Sequence, residues 1–95
     1  MYCYRLYTEN RNRAEVEAII SAEFAGFTVY ETTGYWQGTS EHGLVVEIMA
    51  DSDVPIVISE VAERIRDRNN QQAVLVSVHE VKTCLVEAPK ERKRA

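Results

Sequence analysis

The fold is decided by residues 27–50, which read FTVYETTGYWQGTSEHGLVVEIMA and contain two extended runs joined by a polar connection. In the first run Phe27 and Val29 are apolar and alternate with hydroxyl-bearing residues, the period-two pattern of a strand with one face on a core. That pattern directs Tyr30 away from the core. The second run, residues 44–50, is apolar on both faces apart from Glu47. We therefore expect both of its faces to be covered.

The connection between the two runs contains three glycines, Gly34, Gly38 and Gly43. Because glycine adopts backbone angles closed to other residues, a polar turn built from them would approach a ligand closely. Side chains capable of chemistry are concentrated around this connection: Tyr30, Tyr35, Trp36, Glu41 and His42. Spacing alone does not separate such a binding loop from an ordinary hairpin with a long polar connection.

Outward from this stretch, the pattern predicts two helices and two further strands. The first element is a strand over Tyr2–Tyr7, followed by a helix with an N-cap at Asn12, a capping-box partner at Glu15 and a C-cap at Gly26. The second helix is predicted over Pro55–Arg68, after cap candidates in Asp51–Asp53. A strand over Ala73–Val81 follows it. Lys82–Val86 either extends the last strand or forms a short fifth one.

The order strand, helix, strand, strand, helix, strand predicts a ferredoxin-like α+β sandwich, βαββαβ, with a four-stranded antiparallel sheet and two helices on one face. Its other face would carry Tyr30 and apolar residues from the third and fourth strands. Such a face is usually closed by other subunits or by a ligand. Within the apolar strand, we expect Glu47 to pair with an arginine, Arg5 being the candidate.

Composition narrows the class of protein. The 95 residues suit one domain, which we assign to residues 1–86, followed by a basic and disordered tail over residues 87–95. The tail carries four basic and two acidic side chains, net +2, which leaves −6 for the remainder of a chain whose total is −4. This acidic balance argues against a nucleic-acid partner.

No apolar run has the roughly 18 residues that a membrane helix needs, and the N-terminal residues lack a signal-peptide pattern, so we expect a cytoplasmic protein without a membrane partner. Cys3 and Cys84 are predicted to be buried free thiols in separate strands. His42 and His79 have no companion at metal-ligand spacing, so neither a metal site nor a cofactor is expected.

Two segments resemble a known family. TTGYWQGTSE (residues 32–41) followed by QQAVLV (residues 71–76) is similar, in order and spacing, to the small bacteriophage enzymes called S-adenosylmethionine lyases and formerly hydrolases. The likeness covers residues 30–86. It implies a homotrimer of PII-like plan with active sites between subunits. The implied reaction converts S-adenosylmethionine into L-homoserine lactone and 5′-methylthioadenosine by attack of the substrate's own carboxylate.

The resemblance also implies site residues. A tyrosine and a glutamate eleven residues apart match Tyr30 and Glu41, which we take as the catalytic pair. The substrate-binding candidates are Tyr35, Trp36, Gln37, Gly38 and Thr39. Trp36 stands where relatives have tyrosine. The implied role is depletion of the methyl donor in the cytoplasm of a bacterial host, which would protect phage DNA from restriction.

Two alternatives to the lyase remain open. One is a PII-like trimer that binds an adenine nucleotide or metabolite and regulates a partner without catalysis. The other is a structural assembly module that binds no small molecule. Without the family likeness, Glu41 would be read as a solvated loop residue, and Tyr30 and Trp36 as packing aromatics.

Overall fold

The computed structural model describes residues 1–89, within which the elements follow the predicted order. They are β1 (Tyr2–Glu9), α1 (Arg13–Ser21), β2 (Thr28–Trp36), β3 (Thr39–Ala50), α2 (Pro55–Asn69) and β4 (Leu75–Glu80). The strands form one antiparallel sheet in the order β2-β3-β1-β4. This arrangement is the predicted ferredoxin-like α+β fold. Most of the predicted basic tail, residues 90–95, lies outside the described residues.

The core lies between the two helices and one face of the sheet. Register places Tyr4 opposite Ile48 and Leu6 opposite Val46, and all four side chains are buried on the face that the helices cover. Helix residues at 3.6-residue spacing complete this core. The buried helix residues in it are Val16, Ile20, Ile58, Val61, Ala62 and Ile65.

The second face of the sheet has no helix on it among the described residues. Tyr30 lies opposite Val45 on this open face and is 41% exposed, in agreement with the predicted alternation. The predicted partner of Glu47 is also confirmed, because Arg5 Nε donates to its carboxylate at 2.9 Å. Other large apolar side chains remain exposed here: Tyr7, Met49 and Leu75.

The connection between β2 and β3 differs from the predicted glycine-rich loop. It is a two-residue turn formed by Gln37 and Gly38, whose φ angles are 49° and 80°. Positive φ at both central residues is what a tight hairpin requires, because such turns match the twist of the flanking strands. Gly34 and Gly43 lie inside the strands without positive φ, and Glu41 and His42 belong to β3.

Asn12 is the N-cap residue of α1, as predicted, but the predicted side-chain caps do not form. Asn12 has a left-handed conformation and makes no capping hydrogen bond, so the capping box with Glu15 does not form. The Asn12 amide instead donates to Asn69 Oδ1 at 3.2 Å, a long-range contact that local spacing does not reveal. α1 ends at Ser21, well before Gly26. The residue before α2 is Val54, likewise without a capping side chain.

The chain after α2 also differs in detail from the prediction. β4 is shorter than the predicted strand, and residues 81–89 form neither an extension of it nor a fifth strand. Both cysteines are free, but only Cys3 is buried, since Cys84 follows β4 and is exposed. Burial raises the pKa of the Cys3 thiol. Within residues 1–89, no helix is both long and apolar enough to cross a bilayer.

Candidate functional site

The β2–β3 hairpin projects beyond the rest of the sheet. The last pair between β1 and β3 joins Glu9 to Gly43, so residues 33–42, here named the arm, continue as a two-stranded ribbon. Beyond the sheet, one hydrogen bond from the Asn10 backbone N–H to the His42 carbonyl, 3.3 Å, ties the arm to the chain after β1. The molecule is consequently elongated, with extents of 53 × 29 × 24 Å.

A groove of about 590 Å³ lies where the arm leaves the sheet. Its walls come from three places: the arm and adjoining β3, the end of β1, and the turn between α2 and β4. Its size is within the range of sites for small molecules, ~300–1,000 Å³. The lining residues are Tyr7, Thr8, Glu9, Thr32, Gly34, Tyr35, Trp36, Glu41, His42, Gly43, Leu44, Gln71, Gln72, Ala73 and Leu75.

Three of the predicted site residues meet at this groove. Glu41 pairs with Gly34, and Trp36 lies two positions along on the same face, so the indole is a diagonal neighbour of the carboxylate at about 7–8 Å between backbones. Tyr35 also borders the groove, but strand alternation directs it to the opposite face of the ribbon. Trp36 and Tyr35 are 67% and 76% exposed.

The other predicted residues do not reach the groove. Tyr30 shares the face of Glu41, yet its partner Val45 is four positions from Glu41 on β3, a separation of about 13 Å at ~3.3 Å per residue. Gln37, Gly38 and Thr39 lie at the tip of the arm and do not line the groove either. One chain therefore does not bring the predicted catalytic pair together.

The wall opposite the arm is fixed by a hydrogen-bond network around Gln71. Gln71 Oε1 accepts from the Thr8 hydroxyl at 2.9 Å, from Asn69 Nδ2 at 3.0 Å and from the Glu9 backbone N–H at 3.4 Å. Gln71 Nε2 donates to the Ala73 carbonyl at 2.8 Å. Asn69 is only 1% exposed. Since buried polar groups with all partners present are rigid, this wall is preorganised.

The groove is acidic. Glu41 and Glu9 contribute carboxylates, and the described lining residues include no lysine or arginine. Glu9 has a neighbouring cation, because Arg11 lies 2.9 Å from its carboxylate. Glu41 makes no ion pair within residues 1–89, and it is exposed. A positively charged ligand would therefore gain more here than an anion.

Metal binding has no support from the described geometry. Residues 1–89 contain no group of three or more His, Cys, Asp or Glu side chains placed to hold an ion. His42, the nearest imidazole to Glu41, is its chain neighbour in a strand, so the two side chains point to opposite faces.

Sequence reasoning did not place Gln71, Gln72 or the end of β1 in the site. The signal was present in the predicted topology, because β1 and β3 are neighbours and β4 is antiparallel to β1, which brings the start of β4 to the end of β1. The QQAVLV segment, residues 71–76, was noted only for its likeness to a family. Its first residues now lie across the groove from Glu41.

No protein-family model matches the chain, and comparison with curated proteins yields no match. The likeness to S-adenosylmethionine lyases therefore stays a prediction from residues 30–86.

Proposed function

We propose that this protein is an S-adenosylmethionine lyase, and that Glu41 and Trp36 bind the cationic end of the substrate in the groove beneath the arm. The observation that carries the proposal is the carboxylate of Glu41, which makes no ion pair within residues 1–89 and lies diagonal to an exposed indole in a groove whose described lining has no lysine or arginine. S-adenosylmethionine carries a sulfonium and an ammonium group, which suit such a site.

The reaction needs little acid–base help. A carboxylate oxygen of the substrate attacks its own γ-carbon, the bond from that carbon to sulfur breaks, and the electron pair goes to sulfur. The products are homoserine lactone and neutral methylthioadenosine, and no proton is transferred. The negative charge of the carboxylate and the positive charge of the sulfonium both disappear, so the transition state is less polar than the substrate. Exclusion of water and correct folding of the methionine part of the substrate therefore supply the acceleration.

Three residues of the groove have a role in this scheme. Glu41 holds the substrate ammonium, and this contact orients the substrate's own carboxylate toward its γ-carbon. Trp36 presents a π face to the sulfonium, a contact worth about 0.5–2 kcal/mol. The Gln71 wall supports the opposite side of the ligand without motion, since its amide oxygen already has three donors.

Tyr30 enters the same site only from a second subunit. Within one chain it is about 13 Å from Glu41 along the sheet. A neighbouring copy that covered the open face would bring its own Tyr30 toward the groove and would also exclude water from it. This requirement agrees with a trimer whose active sites lie between subunits, as in the family that the sequence resembles. The same likeness is the basis for proposing that the reaction depletes the methyl donor of a bacterial host.

The regulatory alternative is disfavoured by charge. An adenine nucleotide carries phosphates, and phosphate sites are built from basic side chains or helix N-termini. The described lining of the groove offers neither lysine nor arginine and places two carboxylates there instead. A neutral or cationic metabolite remains compatible with a regulator that does not turn its ligand over.

The test is to incubate the purified protein with S-adenosylmethionine and follow products by NMR from the first minutes. Methylthioadenosine and homoserine lactone should appear before homoserine. Homoserine formed directly would indicate a hydrolase. Substrate that binds and stays unchanged would indicate the regulator.

The site assignment is tested by Glu41→Gln, which keeps the shape but removes the charge. We expect kcat/KM to fall at least about 100-fold, because the carboxylate interacts with charge at the reacting end of the substrate. The matched control is Glu31→Gln on the opposite face of the same hairpin, where the carboxylate lies 3.5 Å from Arg13. Equal losses in both variants, or near-normal turnover in Glu41→Gln, would contradict the assignment.

A further inference from the structure

The chain after β4 exposes apolar side chains that an isolated subunit leaves without cover. Residues 82–88, here named the exit segment, read KTCLVEA and have neither helix nor strand structure. Leu85 is 86% exposed and Val86 is 95% exposed. The segment contains β-favouring residues and no glycine, a composition typical of a strand. Its start is fixed, since the Val81 N–H donates to the Met1 carbonyl at 2.9 Å.

At the other side of the sheet, β2 offers an unpaired edge. The two-residue turn makes Trp36 and Thr39 a hydrogen-bonded pair. Because the direction of the backbone groups alternates along a strand, the N–H and C=O groups of the odd-numbered residues of β2 point away from β3. Their backbone N–H and C=O groups have no partner among the described residues. The residues whose backbone groups point outward from this edge are Val29, Glu31, Thr33 and Tyr35. A free edge of this length is a template for another strand.

Within its own subunit the exit segment could bring only its last three residues, 86–88, to this edge. β4 and β2 are the two outer strands, three inter-strand spacings or about 14 Å apart. The four residues from Lys82 to Leu85 span at most about 14 Å, so crossing the sheet would use them up before any pairing with β2 began. Pairing along the whole exit segment, with Leu85 included, therefore requires a second copy.

We propose that the exit segment of one copy adds as a strand to the outer edge of β2 in a second copy of this chain. Pairing would satisfy the outward backbone groups of β2 and remove Leu85 and Val86 from water. Charge favours the same partner: residues 87–95 carry a net +2 and the remainder of the chain −6. Since donor and acceptor are different surfaces, repetition of the contact closes a ring if the rotation permits.

This contact gives the oligomer of the proposed function a defined interface, and its test requires no activity. The donor side is probed by Leu85→Ser, with Ile56→Ser as the matched control, because Ile56 is a 74% exposed aliphatic residue on α2. By light scattering over a dilution series, wild type should be an oligomer. Leu85→Ser should raise its dissociation constant at least about tenfold, and Ile56→Ser should leave it within about twofold.

The acceptor side is probed by Thr33→Pro. Proline removes an outward N–H that is not part of the β2–β3 ladder, and edge strands tolerate it at such positions. The variant should keep the circular dichroism spectrum of wild type and dissociate like Leu85→Ser. If it does not fold, the donor-side variant still decides the question.

Cys84 reports directly on the contact. Its thiol is exposed in one chain, whereas Cys3 is buried and serves as the internal reference. Maleimide should label Cys84 slowly in wild type at high concentration, and rapidly after dilution or in Leu85→Ser. A monomeric wild type, an oligomer that survives Leu85→Ser unchanged, or a freely reactive Cys84 in the oligomer would overturn the proposal. Loss of turnover in a normal oligomer would count against the lyase alone.

Discussion

The two halves of β3 have the same backbone structure but opposite surroundings. In residues 44–48, four side chains are at most 3% exposed, because β1 and β2 flank the strand and helices cover one of its faces. In residues 39–42 every side chain is exposed, and β2 is the only flanking strand in the described part of the chain. The buried half stabilises the domain, and in the proposed function the exposed half presents side chains to a ligand. We therefore expect stability and function to be separable along one strand.

The largest effect is expected in the buried half. Ile48→Ala should lower the free energy of unfolding by about 2–5 kcal/mol, since Ile48 is 0% exposed and its removal leaves a cavity between the sheet and the helices. Urea denaturation measures this loss. A change below about 1 kcal/mol would mean that the core half contributes no more to stability than the arm does.

A smaller effect is expected where the two halves meet. A Cβ at Gly43 would lie 2.9 Å from Thr32 Oγ1 and 3.2 Å from the Thr8 carbonyl, so Gly43→Ala should destabilise by about 1 kcal/mol through rotamer strain. The control is Gly34→Ala, where no atom lies within 4 Å. Reduced freedom of the unfolded chain should make that variant neutral or up to ~1 kcal/mol more stable. Equal values would show that the junction is not close-packed.

Alkaline pH should lower the free energy of unfolding through Tyr4, which lies opposite Ile48 in the buried half. Burial raises the pKa of Tyr4 above its ordinary value of 10.0, and the hydrogen bond to Asp53 acts in the same direction. The unfolded chain thus releases this proton first, so the stabilisation is complete below pH 10 and is lost as pH rises through the folded-state pKa. The pKa values of Tyr2 and Cys3 shift in the same direction.

Urea midpoints between pH 8 and pH 11 measure this loss, and Tyr4→Phe is the diagnostic variant. It should be about 1–3 kcal/mol less stable at pH 8, because the Val54 N–H, 2.9 Å from the phenol oxygen, loses its acceptor. Its decline above pH 10 should be shallower than that of wild type. An unchanged slope would assign the alkaline loss to other groups.

The smallest effect on stability is expected in the arm. Trp36→Ala should change the free energy of unfolding by no more than about 0.5 kcal/mol, because the indole is 67% exposed. The same variant should weaken S-adenosylmethionine binding by about 0.5–2 kcal/mol through loss of the cation–π contact. Calorimetry measures the free energy of unfolding and the free energy of binding separately. A large loss of stability would make Trp36 a packing residue.

Sequence reasoning succeeded where the signal was local and periodic. Alternation predicted that Tyr30 faces away from the core, and the apolar run after Gly43 predicted a strand. The expense of a buried charge predicted the pairing of Glu47 with Arg5. These inferences need only the chemistry of neighbouring residues and the two-residue period of a strand.

It failed where distant residues decide the local structure. Three glycines suggested a long loop, yet only Gly38 has a positive φ, and packing against Thr8 and Thr32 accounts for the small residue at position 43. The Asn12 amide binds Asn69, 57 residues away, in place of its own helix. For the same reason the Gln71 wall was missed, since two of the three donors to the Gln71 amide oxygen come from β1.

The Gln71 network also orders events during synthesis of the chain. The amide of Gln71 binds Thr8 across 63 residues, and β1, which precedes the other described strands in the chain, receives its second neighbour only from β4, which follows them. Contacts of such long sequence separation form slowly, because the intervening loop must close first. A ribosome-bound chain that has not yet exposed β4 can carry the complete arm but has only one side of the groove. Ligand recognition is therefore expected to begin only after β4 has left the ribosome.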